Sequence, residues 1–129
     1  MLRLNLPNVE RREVVFGYFR LDCNDIGEYG TRRKELETYA AKHHLRLGRV
    51  FVDEGDEGSV VSRSGFAQLC LLLRLEQPHG VLLHQPEDLA TTEGGALQLA
   101  RRIWAAGVGI YTVHSEAAAA VPVNRRGRA

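Results

Sequence analysis

The sequence predicts a three-layer α/β domain built on a mainly parallel sheet of about four strands. Two observations carry that prediction. Short stretches rich in β-branched and aromatic residues alternate with longer stretches of helical periodicity, the pattern of βαβ units. The third strand candidate, GVLLH, is apolar throughout, as a strand is when helices cover both faces of its sheet.

Residues 13–21, EVVFGYFRL, read as the first strand. The polar loop CNDIGEYG follows, then TRRKELETYAAKHH, where Leu36, Tyr39, Ala40 and His43 share one helical face. Residues 46–53, RLGRVFVD, are the second strand, and EGDEGSVVSRSG is a loop by its glycines, serines and charges. Phe66, Leu69, Cys70 and Leu73 mark a second amphipathic helix that stops near Pro78 and Gly80. After GVLLH and the loop QPEDLATT, Thr91 or Thr92 is placed to cap a third helix. That helix faces Leu99, Ala100 and Ile103 inward, runs to about Ala106 and ends at Gly107. VGIYTVH is the fourth strand.

The order β-α-β-α-β-α-β with right-handed crossovers gives a small flavodoxin-like domain, strand order 2-1-3-4, with helices on both faces. Residues 13–114 hold the fold, 1–12 are an N-terminal extension and 115–129 a flexible Ala/Arg tail. Ligands of such sheets bind beyond the carboxyl ends of the strands. The residues to read are therefore Arg20 to Asp25, Asp53 to Arg63, His84 to Asp88, and His114.

Composition sets limits on function. A net charge of +1 lacks the basic surplus of a DNA-reading domain. Lys34 and Lys42 are the only lysines, and the arginine excess is read as coding bias rather than a phosphate-binding surface. The two cysteines, Cys23 and Cys70, make no disulfide framework, which suits a cytoplasmic protein. Cys70 reads as a small core residue. The segment MLRLNLPNVERR has no apolar run of signal-peptide length, and no stretch reaches the ~20 apolar residues of a membrane span.

Four segments in order carry a family resemblance. GYFRLD resembles the Gly-Tyr-x-Arg-x-Ser signature of serine recombinases. FVDEGDEGSVVSRSGF resembles their second-strand segment, in which Asp-Glu-Gly leads to Gly-Ser, an arginine, and a Gly-Phe that opens a helix. VLLHQPEDLATT takes the place of the third strand and its Asp-Arg-Leu-x-Arg loop, and LARRIWAAGVGIYTV resembles the following helix and strand. The chain thus looks like the catalytic domain of a resolvase/invertase-type serine recombinase over residues 13–113.

The resemblance implies a serine that attacks a phosphodiester, with arginines that neutralise the phosphate and stabilise the transition state. Arg20 and Arg63 match two of those arginines. Asp22 stands at the serine position, Glu87 at an aspartate, Asp88 at an arginine and Thr91 at a second arginine. A carboxylate cannot form the phosphoserine link, and QPEDLATT contains no arginine in any register. Removing one transition-state donor costs ~100–1000-fold in rate. The family activity, site-specific DNA strand exchange, is therefore expected to be lost, with no catalytic residue. Asp88 is expected beside the scissile bond as an opposing charge. Arg20 and Arg63 are expected to neutralise Asp22, Glu87 or Asp88, with Arg20 the more buried. Family members carry a long dimerising helix and usually a helix-turn-helix unit after the fourth strand. The segment SEAAAAVPVNRRGRA is expected to be too short to supply the latter.

Other clusters are weaker. Asp22, Asp53, Glu54, Glu87 and Asp88 lie toward one sheet edge, where carboxylates can hold Mg²⁺ for phosphoryl chemistry. The plainer reading is that Asp53, Glu54, Asp56 and Glu57 form a solvated loop. Cys23 follows Asp22, but alternation turns it from the serine direction, so it is not expected to be a nucleophile. His84 and His114 end neighbouring strands and, with Cys23 or Asp22, are a weak zinc candidate because the spacing matches no zinc motif. His43 and His44 read as surface residues, and Arg125, Arg126 and Arg128 as a disordered end. No metal and no cofactor is expected. The expected role is an interaction or regulatory module with weak or absent DNA binding. Its partner would be an active recombinase, another DNA-processing protein or a second copy of the chain. The competing reading is a divergent metal-dependent phosphoryl-transfer enzyme using the acidic cluster.

Overall fold

The computed structural model describes residues 12–22, 25–55 and 63–114. Strand β1 (Glu13–Leu21) leads to helix α1 (Tyr29–Lys42), then β2 (Leu45–Glu54), α2 (Ser64–Glu76), β3 (Gly80–Leu83), α3 (Glu93–Trp104) and β4 (Gly109–Thr112). Two single-turn 3-10 helices, Ile26–Glu28 and Pro86–Asp88, lie in stretches that the sequence presents as plain loops. The four strands form one sheet in the order β2-β1-β3-β4, every pair parallel. This is the doubly wound order that alternation and right-handed crossovers predict.

Period-two alternation sorts each strand's side chains between two cores. Phe16 and Tyr18 of β1 and Val81 and Leu83 of β3 join Phe66, Leu69 and Leu73 of α2 and Ala96, Leu99, Ala100 and Ile103 of α3. Val15, Phe19 and Leu82 point the other way and meet Leu36 of α1. One helix therefore covers one face and two cover the other. The close fit of α1 depends on Gly17, where a Cβ would meet Leu36 Cδ1 at 2.8 Å.

The helix ends follow local chemistry. Thr92 caps α3 by accepting the Gly95 amide at 3.1 Å. Gly107 follows at φ +87, a conformation that favours glycine. The inward face of α1 differs from the sequence reading. Arg32 is buried with Leu36 and Ala40, whereas His43 is exposed and stacks on Tyr39 at 4.1 Å between ring centroids. His43 is the C-cap residue, its amide still bonded to the Tyr39 carbonyl at 3.0 Å, and its exposure agrees with its reading as a surface residue. Cys70 is half-buried rather than fully buried, and burial pushes its thiol pKa up.

Candidate functional site

The carboxyl end of the sheet is organised by two buried aspartates. Asp53, near the end of β2, is 7% exposed. Its carboxylate accepts the Gly65 amide at 2.6 Å and the Phe66 amide at 2.9 Å. These belong to the first turn of α2, whose N–H groups have no partner within the helix. The buried Tyr18 hydroxyl donates to the same carboxylate at 2.7 Å. Burial, and then this bond, hold the Tyr18 pKa far above its ordinary value. Gly65 is needed at the corner, because a Cβ there would lie 2.8 Å from the Val52 carbonyl oxygen and 2.9 Å from Asp53 Oδ1.

Asp88 is 1% exposed, and its position corrects the sequence reading. Its carboxylate is not a free opposing charge. It accepts three amides, from Arg20 at 3.1 Å, His84 at 2.9 Å and Gln85 at 2.9 Å. The reason lies in strand length. β3 pairs with β1 only as far as Tyr18 opposite Leu83, so amides beyond that point need another acceptor. Burial pushes the Asp88 carboxyl up to about 7, against the opposing pull of the amides and of Arg32. Glu87, its neighbour, is exposed, as is Thr91.

The two carried-over arginines also differ from expectation. Arg63, not Arg20, is the more buried, at 5% exposure against a half-buried Arg20. Arg63 donates to the Asp88 carbonyl at 3.0 Å, not to its carboxylate. Arg20 is anchored through its backbone: its amide meets Asp88 and its carbonyl accepts Arg32 Nη1 at 3.0 Å. The Nε atoms of Arg20 and Arg63 are both buried without a hydrogen-bond partner among the described residues. Asp22 follows β1 in a half-buried position. The side chain that closes the β1 end is Arg32, which the sequence reading did not single out. It pairs with Asp25 at 3.4 Å and Glu28 at 3.2 Å.

The proposed acidic metal cluster does not assemble among the described residues. Asp53 and Asp88 are committed to amides, while Glu54 and Glu87 are exposed. A different group converges instead. Glu35 of α1, His84 after β3 and His114 after β4 place one ligating atom each within 4.8 Å of one another. The histidines are the weak zinc candidates of the sequence, but their third partner is Glu35 rather than Asp22. Cys23 lies outside the described residues, as do residues 1–11, Asp56, Glu57 and the tail from 115. The spacing Arg32, Glu35, Leu36, Tyr39 on one helix face was the available signal for polar residues reaching inward.

No protein-family model matches the sequence, and no curated protein matches it. Solved structures do match. The N-terminal catalytic domain of TP901-1 integrase aligns with a TM-score of 0.68 at 16% identity, over 78% of this chain and 77% of its own. The C-terminal catalytic domain of ISC1926 TnpA, an IS607-like serine recombinase, aligns with a TM-score of 0.68 at 19% identity, over 78% and 70%. A serine recombinase from Sulfolobus solfataricus aligns with a TM-score of 0.63 at 21% identity, over 80% and 69%. The four segments of motif resemblance and the strand order thus agree, and the chain has the resolvase-like α/β fold of serine recombinase catalytic domains.

Proposed function

We propose that this chain is a non-cleaving serine-recombinase-like domain that acts as an interaction or regulatory module in DNA recombination or processing. The observation that carries the proposal is Asp22 at the end of β1, where the resemblance places the attacking serine. The loop after β3 adds to it, because residues 85–92 hold no arginine and their one buried carboxylate is bonded to amides. Without a hydroxyl at that position the covalent link has no nucleophile, and without the loop arginines part of its charge stabilisation is lost. Arg20 and Arg63, each with a buried Nε that has no partner among the described residues, remain suited to an anion such as a backbone phosphate. The partner proposed is a recombinase or another DNA-processing protein in the cytoplasm. Asp53 and Asp88, held by amides, do not favour the metal-dependent phosphoryl-transfer alternative.

The test is incubation with supercoiled plasmid, followed by a search for nicked or protein-linked DNA. Neither product is expected from the native chain or from Asp22→Ser. Non-specific duplex binding should be no tighter than ~10⁻⁴–10⁻⁶ M and should weaken steeply with salt. Covalent product that disappears in Cys23→Ser would overturn the proposal and make the thiol the nucleophile.

A further inference from the structure

The pairing of β3 with β4 continues past Thr112, with the Val113 amide on the Leu83 carbonyl and the His114 amide on the His84 carbonyl, both at 3.0 Å. This ladder sets His84 and His114 side by side, with ring centroids 4.7 Å apart. Alternation along β3 turns Leu82, and with it His84, toward the face covered by α1. There a single oxygen of Glu35, Oε1, meets both Nε2 atoms, at 2.6 Å from His84 and 3.0 Å from His114. A carboxylate only accepts, so each Nε2 presents its proton to the same oxygen. Two imidazole nitrogens and one carboxylate oxygen collected at one point are the donors that zinc takes.

We propose that Glu35, His84 and His114 form a Zn²⁺ site that ties α1 to the carboxyl ends of β3 and β4, with a coordination position left for water or an entering anionic group. Three protein ligands with the fourth place open is the arrangement of reactive rather than purely structural zinc. Glu35 and His114 also line a shallow pocket of about 430 Å³ with Tyr39, Lys42 and His43, which gives that place access to solvent. Two imidazoles favour Zn²⁺ over the oxygen-seeking Mg²⁺.

The nearby cation Arg32 is already paired with Asp25 and Glu28. The Glu35 oxygen must draw back from both nitrogens, because tetrahedral zinc with bonds of ~2.0–2.1 Å separates its ligands by roughly 3.3 Å. Glu35 and His114 have room to do so, their side chains being 41% and 49% exposed. His84 Nδ1 is buried with no partner among the described residues. Moving the His84 proton to Nδ1 therefore breaks no bond there, although a site lacking such an outer partner should bind ~10–100-fold more weakly than one that has it.

The experiment titrates the full chain, freed of metal by chelation, with Zn²⁺ and follows thermal stability and binding heat. A rise in Tm that saturates at one ion per chain is expected, since an ion that binds the native state stabilises it. Glu35→Gln and His114→Ala alter the more exposed ligands and should fold, each weakening the affinity at least tenfold. Mg²⁺ should leave Tm unchanged. Co²⁺ added to the unaltered chain should give visible absorption of tetrahedral intensity without a thiolate charge-transfer band. The proposal is overturned if Zn²⁺ leaves Tm unchanged, which makes the cluster a hydrogen-bonded clip only. It is equally overturned if both variants bind as the native chain does, if Mg²⁺ substitutes, or if Co²⁺ shows thiolate ligation.

Discussion

The ends of β2 and β3 each carry a buried aspartate, and the two corners have different histories in the sequence. At the β2 corner the residues that resemble serine recombinases are all present: Tyr18, Asp53, Gly65 and Phe66. Every one of them is used to join β1, β2 and α2. At the β3 corner the family's arginines are absent, and Asp88 gathers the amides of Arg20, His84 and Gln85. The first corner is framework, and the second is the one to which the resemblance would assign a reacting phosphate. Motif likeness concentrated in the first therefore speaks for the fold and leaves the chemistry to the second.

The largest effect should come from the β2 corner. Asp53→Ala removes one carboxylate that satisfies two helix amides and a buried phenol. Each group left buried without a partner costs ~1–3 kcal/mol, and solvent reaching the α2 terminus offsets part of this. A loss of about 3–5 kcal/mol is expected in urea unfolding. Tyr18→Phe should cost about 1 kcal/mol, the usual net worth of one hydrogen bond. A loss below 1 kcal/mol for Asp53→Ala would mean that the corner is held by packing, and the contrast between the corners would fail.

The β3 corner should show itself through pH. Burial raises the Asp88 carboxyl to about 7 in the folded chain, against ~3.9 for an unperturbed aspartate. The native state thus keeps its proton at pH values where the unfolded chain has lost it. Stability from this source is fully present below about 4 and is lost as pH rises to about 7. One proton gives a slope of at most ~1.4 kcal/mol per pH unit. Asp88→Asn should remove that fall from the stability curve between these values, whatever its constant cost. Parallel curves for the two proteins would show that the amides keep Asp88 ionised throughout.

Much of the fold was legible because it rests on patterns that repeat. Alternation in EVVFGYFRL, the inward faces of α2 and α3, and the cap at Thr92 are local or periodic, and all recur in the structure. Burial of Arg32 was not legible from Leu36 and Ala40 alone, since its bonds go to Asp25, Glu28 and the Arg20 carbonyl at the end of β1. The surroundings of Asp88 were illegible for a similar reason. The resemblance sets it at an arginine position, while its partners in the fold are amides exposed by the shortness of β3. Glu35 meets His84 and His114 across 49 and 79 residues of chain. Only the strand order 2-1-3-4 with α1 above β1 brings them together.

The smallest expected effect on stability separates framework from ligand most sharply. Arg20 looks structural from the sequence, as a charged residue in a central strand that ought to be paired. In the fold, its described anchoring bonds are made by its main chain, the amide to Asp88 and the carbonyl to Arg32. Arg20→Ala keeps both. It removes a buried Nε that has no partner among the described residues, which relieves an unsatisfied donor, and it loses some packing of the aliphatic stem. These oppose each other, so the change should lie within about 1 kcal/mol of zero. Arg63→Ala should cost more, because its guanidinium supports the Asp88 carbonyl at 3.0 Å in a buried setting. If Arg20 is kept for an anion, sulfate or a short DNA duplex should stabilise the native chain and leave Arg20→Ala unmoved. A loss above 2 kcal/mol in Arg20→Ala without any anion would instead make the guanidinium part of the framework and remove the main support for an anion at this side chain.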